Sequence, residues 1–170
     1  MSTRMSFHQL SVLCILALLA DNVSATDAAK SRLLSKPSLS FEIAQSMAMA
    51  CIEQQRRSNG SPVYVSIYDE GANPILFLKM DGAALGAGVT AVGKAETSAR
   101  FPYPSQTVGE WVKANPSVAH IPGVLGVRGG LPIIGPDGVH LGGIGVSGAA
   151  SDVDEECART AIAAMHRLLP

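Results

Sequence analysis

The feature that most constrains this chain is a pair of apolar alternations separated by turn chemistry. Val63, Val65 and Ile67 interleave with Tyr64, Ser66 and Tyr68. That period of two suits a strand with one face buried. Asp69-Glu70-Gly71-Ala72-Asn73 follows, rich in residues that close tight turns, and Ile75 to Met80 returns as a second strand. The two strands predict a β-hairpin, and hairpins mean antiparallel pairing. Three more short strands are expected at Val124–Val127, Leu131–Ile134 and Val139–Val146. Gly135-Pro136-Asp137-Gly138 is the tight turn between the last two.

Helical stripes surround these strands. Ser40 is placed to cap a helix whose first turn holds Glu42, a carboxylate suited to the positive end of the helix dipole. Ile43, Met47 and Cys51 then recur every four residues, and Arg56-Arg57-Ser58-Asn59-Gly60 supplies a basic last turn and a glycine stop. Ala84 to Arg100 is alanine-rich and predicts a second helix, although Gly86, Gly88 and Gly93 each lower its propensity by about 1 kcal/mol. Those glycines make sense where another backbone or a flat ligand approaches closely. Phe101 to Pro122 carries four prolines and is expected to be irregular, with a short helix near Val108–Lys113. A connection of that length inside a compact domain is usually functional. A final helix begins at Asp152 or Asp154 and runs through Leu169, with Cys157, Ala161, Met165 and Leu168 on its buried side. The fold class is α+β: an antiparallel sheet of about five strands flanked by helices.

The first 25 residues read as a secretory signal. Arg4 and His8 make a weakly basic start, Leu10 to Ala20 an apolar run, and Val23-Ser24-Ala25 the small-x-small pattern that signal peptidase cuts. The apolar run falls well short of the roughly 20 residues a spanning helix needs, so no membrane anchor is expected. Cleavage after Ala25 leaves a flexible lead-in over residues 26–38 and one domain over 39–170, in a protein placed in the periplasm or outside the cell.

Loss of the leader removes Arg4 and Asp21, one charge of each sign from the chain's 13 basic and 14 acidic side chains. The balance that remains lacks the clustered positive field that a phosphate backbone demands, which excludes nucleic acid as a partner. Cys14 leaves as well, and Cys51 and Cys157 stay in a compartment where disulfides form. They bridge if the first and last helices bring their Cα atoms within about 7 Å. Otherwise they are two small buried apolar residues.

Several motifs admit a sharp and a plain reading. Gly88 to Lys94 matches the first seven positions of a phosphate-binding loop, but Ala95 stands where a metal-binding hydroxyl is required, and the segment lies in a helical pattern. Gly145-Val146-Ser147-Gly148-Ala149 is similar to a nucleophile elbow, yet nothing near it positions a histidine and an acid. The plain reading is a strand end at which Ser147 offers a hydroxyl to a ligand. His120, His140 and His166 have no metal-ligand spacing among them. Asp152, Asp154, Glu155 and Glu156 cluster where they would cap the last helix, or supply an acid to a pocket.

Taken together, the chain resembles the GlcG/HbpS-like family of haem-binding and haem-degrading proteins. The resemblance rests on Tyr68-Asp69-Glu70-Gly71, Lys79-Met80-Asp81-Gly82-Ala83, Gly93-Lys94-Ala95-Glu96-Thr97-Ser98-Ala99, Gly129-Gly130-Leu131-Pro132-Ile133, Leu141 to Gly148 and Asp154-Glu155, in order, over about Leu39 to Leu168. It implies a five-stranded antiparallel sheet with flanking helices and assembly into dimers or larger homo-oligomers. Some members are secreted haem binders; others accompany glycolate or diol metabolism, or form the C-terminal part of a cobalamin adenosyltransferase. Lys79 departs from the usual Arg and loses its bidentate fork.

Three functions follow from that reading. In the first, haem is the cofactor: His120 takes the iron, Lys94 and Arg100 hold the propionates, the backbone at Gly129, Gly130 and Gly142–Gly148 lets the macrocycle lie close with the Ser147 hydroxyl beside it, and Phe101, Tyr103 and Trp111 are the candidates for stacking. In the second, the chain is a cofactor-independent lyase, isomerase or hydrolase acting on a small oxygenated or carboxylate metabolite. Lys94 then polarises the substrate while Asp81, Asp154 or Glu155 moves a proton. The third is a non-catalytic carrier or sensor accessory. All three need a small-molecule pocket.

Overall fold

The computed structural model describes residues 36–168, and a compact unit begins at Pro37. The leader, most of the lead-in and Leu169 lie outside the described residues. Helix α1 spans Phe41–Arg57, strands β1 and β2 are Tyr64–Asp69 and Pro74–Lys79, and helix α2 is Ala87–Arg100. Helix α3, Ser105–Ala114, is followed by a 3-10 turn at Pro116–His120; strands β3 and β4 are Gly130–Ile134 and His140–Ser147, and helix α4 is Ser151–Leu168. The sheet is wholly antiparallel in the order β2-β1-β4-β3.

Local chemistry accounts for the element ends. The Ser40 hydroxyl accepts from the Ile43 amide, as a cap should. At the other end of α1 the left-handed residue is Asn59 (φ 49°), not Gly60. The Gly60 amide still closes onto the Gln55 carbonyl at 2.9 Å, so the stop is a Schellman turn built on asparagine. In the hairpin, one Asp69 carboxylate oxygen accepts from the amides of Gly71 and Asn73, both at 2.8 Å, pinning the turn.

The two faces of the sheet are packed differently. Val63, Val65, Ile67, Ile133, Ile144 and Val146 point to α1 and α4 and make the main core with Met47, Cys51, Cys157, Ala161 and Met165. On the other face β4 presents Gly143 and Gly145 to α2. A methyl group at Gly143 would collide with the backbone of Ala95 and Ala99, and one at Gly145 with that of Ala91 and Ala95. Helix backbone therefore lies directly on strand backbone, with alanines and glycines as the spacer.

Two expectations are revised. The sheet has four strands, because Val124–Val127 does not pair. Its backbone is held by helix side chains instead: the Leu125 amide donates to the Thr97 hydroxyl at 2.7 Å, and the Ser105 hydroxyl donates to the Val127 carbonyl. The segment from Phe101 onward is also more regular than its prolines suggest, since α3 and the 3-10 turn occupy most of it.

Cys51 and Cys157 form a disulfide, with Cα atoms 4.8 Å apart and 106 residues between them in sequence. It links α1 to α4 inside the core. Closing a loop of this length removes much unfolded-state entropy, so reduction should lower the unfolding free energy by about 4–5 kcal/mol on the chain-entropy account. Urea unfolding with and without reductant measures this.

Candidate functional site

Lys94 is the most deeply enclosed charge among the described residues. It sits in the middle of α2, on the side that faces the sheet, and its side chain is 1% exposed. The ammonium donates to the Val146 carbonyl at 2.8 Å and to the Asp154 carboxylate at 2.9 Å, the latter 2% exposed. The other Asp154 oxygen accepts from the Ala149 amide at 3.0 Å, in the turn that leads into α4. A Cβ on Gly129, whose φ is +116°, would stand 2.8 Å from the Lys94 amine. Glycine at that position is what leaves room for the ion pair. Lys94 and the glycine-bearing strand ends thus meet in one enclosed place, and the anion there is the protein's own.

Burial pushes the Asp154 carboxyl above its ordinary value; the bond and charge of Lys94 and the Ala149 amide pull it down without fully offsetting that. Its neighbour Glu155 behaves oppositely. Burial raises it, but bonds from Arg128 (3.0 Å) and Arg159 (2.6 Å) outweigh burial and hold it below the usual range. Glu155 therefore contributes stability that is full above about pH 4.3 and is lost as pH falls through its lowered folded value.

The remaining expected site residues are dispersed. Asp81 is exposed in the turn after β2 and shares no hydrogen bond or ion pair with Lys94, Asp154 or Glu155. Gly130 packs against the Lys94 carbonyl and the Ser105 hydroxyl. Gly130, Gly143 and Gly145 thus receive helix backbone, and Gly142 and Gly148 abut the backbone of β1 and of Pro62–Val63, which corrects the expectation of a macrocycle lying on them. Ser147 is buried at the end of β4. The half-buried His140 stands at the strand's other end, about 23 Å away at strand rise, with Nε2 3.3 Å from the Ser98 carbonyl. No nucleophile elbow is assembled. Gly88 to Lys94 is helix, so no phosphate loop forms either. Among the described residues no cluster of three or more His, Cys, Asp and Glu side chains is arranged to hold a metal ion.

Arg100 lies elsewhere, in the wall of an open cavity of about 440 Å³ at the C-terminal end of α2. Arg100 and Phe101 form one wall, Ile121 and Pro122 another, and Glu70 to Ala72 of the hairpin turn a third. His120, the residue before Ile121, is exposed at the end of the 3-10 turn. The Arg100 guanidinium is held by Glu96 at 2.6 Å. Burial, then Glu96, raises the half-buried Tyr68 phenol above its ordinary value, against a lowering by Arg100. Thr97 fixes this region from behind. Its hydroxyl accepts from the Leu125 amide and lies 2.9 Å from the Gly123 carbonyl, pinning the loop after Pro122 to α2.

Sequence reasoning missed Arg128 and Arg159. Arg159 is four residues after Glu155 on one helix, a spacing that was open to inspection. Arg128 reaches Glu155 from 27 residues away, which no local pattern shows.

The geometry makes Lys94–Asp154 a structural pair. Lys94→Ala or Asp154→Ala should each lower the unfolding free energy by about 3–5 kcal/mol by stranding a buried charge, while the double variant Lys94→Met/Asp154→Leu recovers most of it. Urea denaturation of the four proteins checks this. Glu155→Gln should flatten the fall in stability below about pH 4, read from melting temperature against pH.

Comparison with known proteins agrees with this architecture. A double mutant of HbpS from Streptomyces reticuli is 32% identical, with a TM-score of 0.72 over 78% of this chain and 90% of that one. The crystal structure of a PduOC–haem complex is 28% identical, with a TM-score of 0.68 over 75% of this chain and 95% of that one. The corrinoid adenosyltransferase PduO of Salmonella typhimurium is 28% identical over 132 residues; these are 75% of this chain but 39% of that enzyme, so the chain spans about two fifths of this relative. Residues 39–163 match the family described as haem degrading protein HbpS-like, and the chain belongs to that HbpS-like family.

Proposed function

We propose that this chain binds haem in the cavity between Arg100–Phe101 and Ile121–Pro122, and that it does so outside the cytoplasm. The observation that carries the reading is the cavity itself, which gathers a cation, an aromatic residue and apolar walls, with exposed His120 next in sequence to the lining residue Ile121. Haem requires an apolar slot, an axial donor and cations for its propionates. The residues present fit that demand. Phe101, Ile121 and Pro122 would contact the macrocycle, Arg100 would exchange Glu96 for a propionate, and His120 would donate to iron. Bound there, haem would supply a redox-active iron, and oxidative breakdown of the bound group is the finer form of the reading. Lys94 does not enter it, since its amine is spent on Val146 and Asp154. The same fact leaves the cofactor-independent alternative without the cation that was to polarise its substrate.

The relative solved with haem supports the assignment. The buried disulfide supports export, because such bridges persist in oxidising compartments. Exposed Phe77, Leu85 and Val89 offer an apolar area suited to assembly with further copies.

Titrating the mature protein with haemin should give a saturable Soret shift that His120→Ala and Arg100→Gln both weaken. A featureless titration would end the proposal, and wild-type affinity in both variants would remove this cavity from it. Expression with the intact leader should yield exported protein whose N-terminus is Thr26 by Edman sequencing.

A further inference from the structure

The lining of the cavity beside Arg100 contains two ionised side chains, Arg100 and Glu70, on different walls. The guanidinium is already engaged: its Nη2 and Nε donate to one Glu96 oxygen at 2.6 and 3.1 Å. The loop after Pro122 seats on that pair. A Cβ on Gly123 would stand 2.7 Å from the Glu96 carboxylate and 2.9 Å from the Arg100 Nε. Glu70 is held as well. Its Oε2 accepts from the Ser38 hydroxyl at 3.1 Å, and the turn that carries it is pinned by Asp69.

These groups fix how much negative charge the cavity can accept. Arg100 stands against Glu96 and Glu70, and Asp69 adds a third carboxylate next in sequence, its oxygens occupied by the Gly71 and Asn73 amides and the Asn73 side chain. His120, next in sequence to the lining residue Ile121, adds charge only when protonated. A ligand carboxylate that displaces Glu96 gains one guanidinium and leaves Glu96 unpaired beside it. A second carboxylate turned inward would meet Glu70 and the freed Glu96, with no further cation in the lining to offset them. Like charges a few ångströms apart at a wet surface weaken binding by a factor of about three to ten.

We propose that this cavity selects a flat apolar ligand that presents a single carboxylate, with Arg100 taking that group and Glu70 excluding a second. The proposal rests on haem binding at this cavity and deepens it: one propionate sits on Arg100 and the other is turned out to solvent. Glu70 is then a specificity-determining residue that keeps the affinity for a dianionic porphyrin below what the apolar walls alone would give.

Absorption titrations at pH 8, where a free imidazole is neutral, test this with haemin, its monomethyl ester and its dimethyl ester. The monoester should bind at least as tightly as haemin, and the diester about tenfold more weakly, having no partner for Arg100. Glu70→Gln, which can still accept from Ser38, should raise the affinity for haemin about three- to tenfold and that for the monoester by less, with an unaltered melting temperature. Glu156→Gln removes an exposed carboxylate from α4, on the other face of the sheet, and should change neither. Haemin binding that Glu70→Gln leaves unchanged or weakens, an equal gain in Glu156→Gln, or a diester as tight as haemin would each overturn the proposal while haem binding stands. Failure of all three porphyrins to bind would overturn both.

Discussion

The close approach of α2 to β4 governs most of what is distinctive in this structure. Gly143 and Gly145 let helix backbone settle onto strand backbone without intervening side chains. At that separation no side chain on the inward face of α2 has room to lie flat, so Ala91, Ala95 and Ala99 occupy it. Lys94, on the same helix, escapes along the edge of this contact, and its amine emerges beneath Gly129. The glycines are therefore an assembly device for helix and sheet. A methyl at either strand position would separate the layers and move every group that depends on their spacing.

From that contact the buried ion pair follows. A lysine drawn into the interior has to find acceptors, because an unpaired ammonium there is very costly. It finds the last carbonyl but one of β4 and the carboxylate that opens α4. One cation thereby ties three elements that are far apart in sequence. Glu155, itself buried, performs a related service, drawing in the more exposed Arg128 and Arg159. Charge in this domain works mostly as a fastener. The cavity beside Phe101 lies at an element end, where α2 stops and the packing is interrupted.

Much of the fold was legible because its signals are local. The hairpin of β1 and β2 shows in its alternation and in Asp69; α1 shows in its four-residue repeat and its Ser40 cap. The segment Val124–Val127 misled, since an apolar run has strand character whether or not a partner is available. Here Thr97 and Ser105 captured its backbone first. Of the residues considered for a site, Lys94, Gly129 and Asp154 meet in the structure, but for a reason that sequence does not contain. Their convergence looks the same in a list of residues whether the enclosed anion is a ligand or a side chain of the protein.

What the sequence determined by itself is an α+β chain of this family, with antiparallel strands and a first helix capped by Ser40. Those properties depend on residue type and on spacing within some ten positions, where backbone geometry is nearly invariant. Tertiary structure alone decided which cysteines meet, that the strand glycines receive a helix, that the Lys94 amine is spent inside the protein, and that Arg100 stands beside the Ile121 loop. Each is a meeting of groups many residues apart. Its occurrence depends on how whole layers pack, and a difference of one methyl group at the contact is enough to change the outcome.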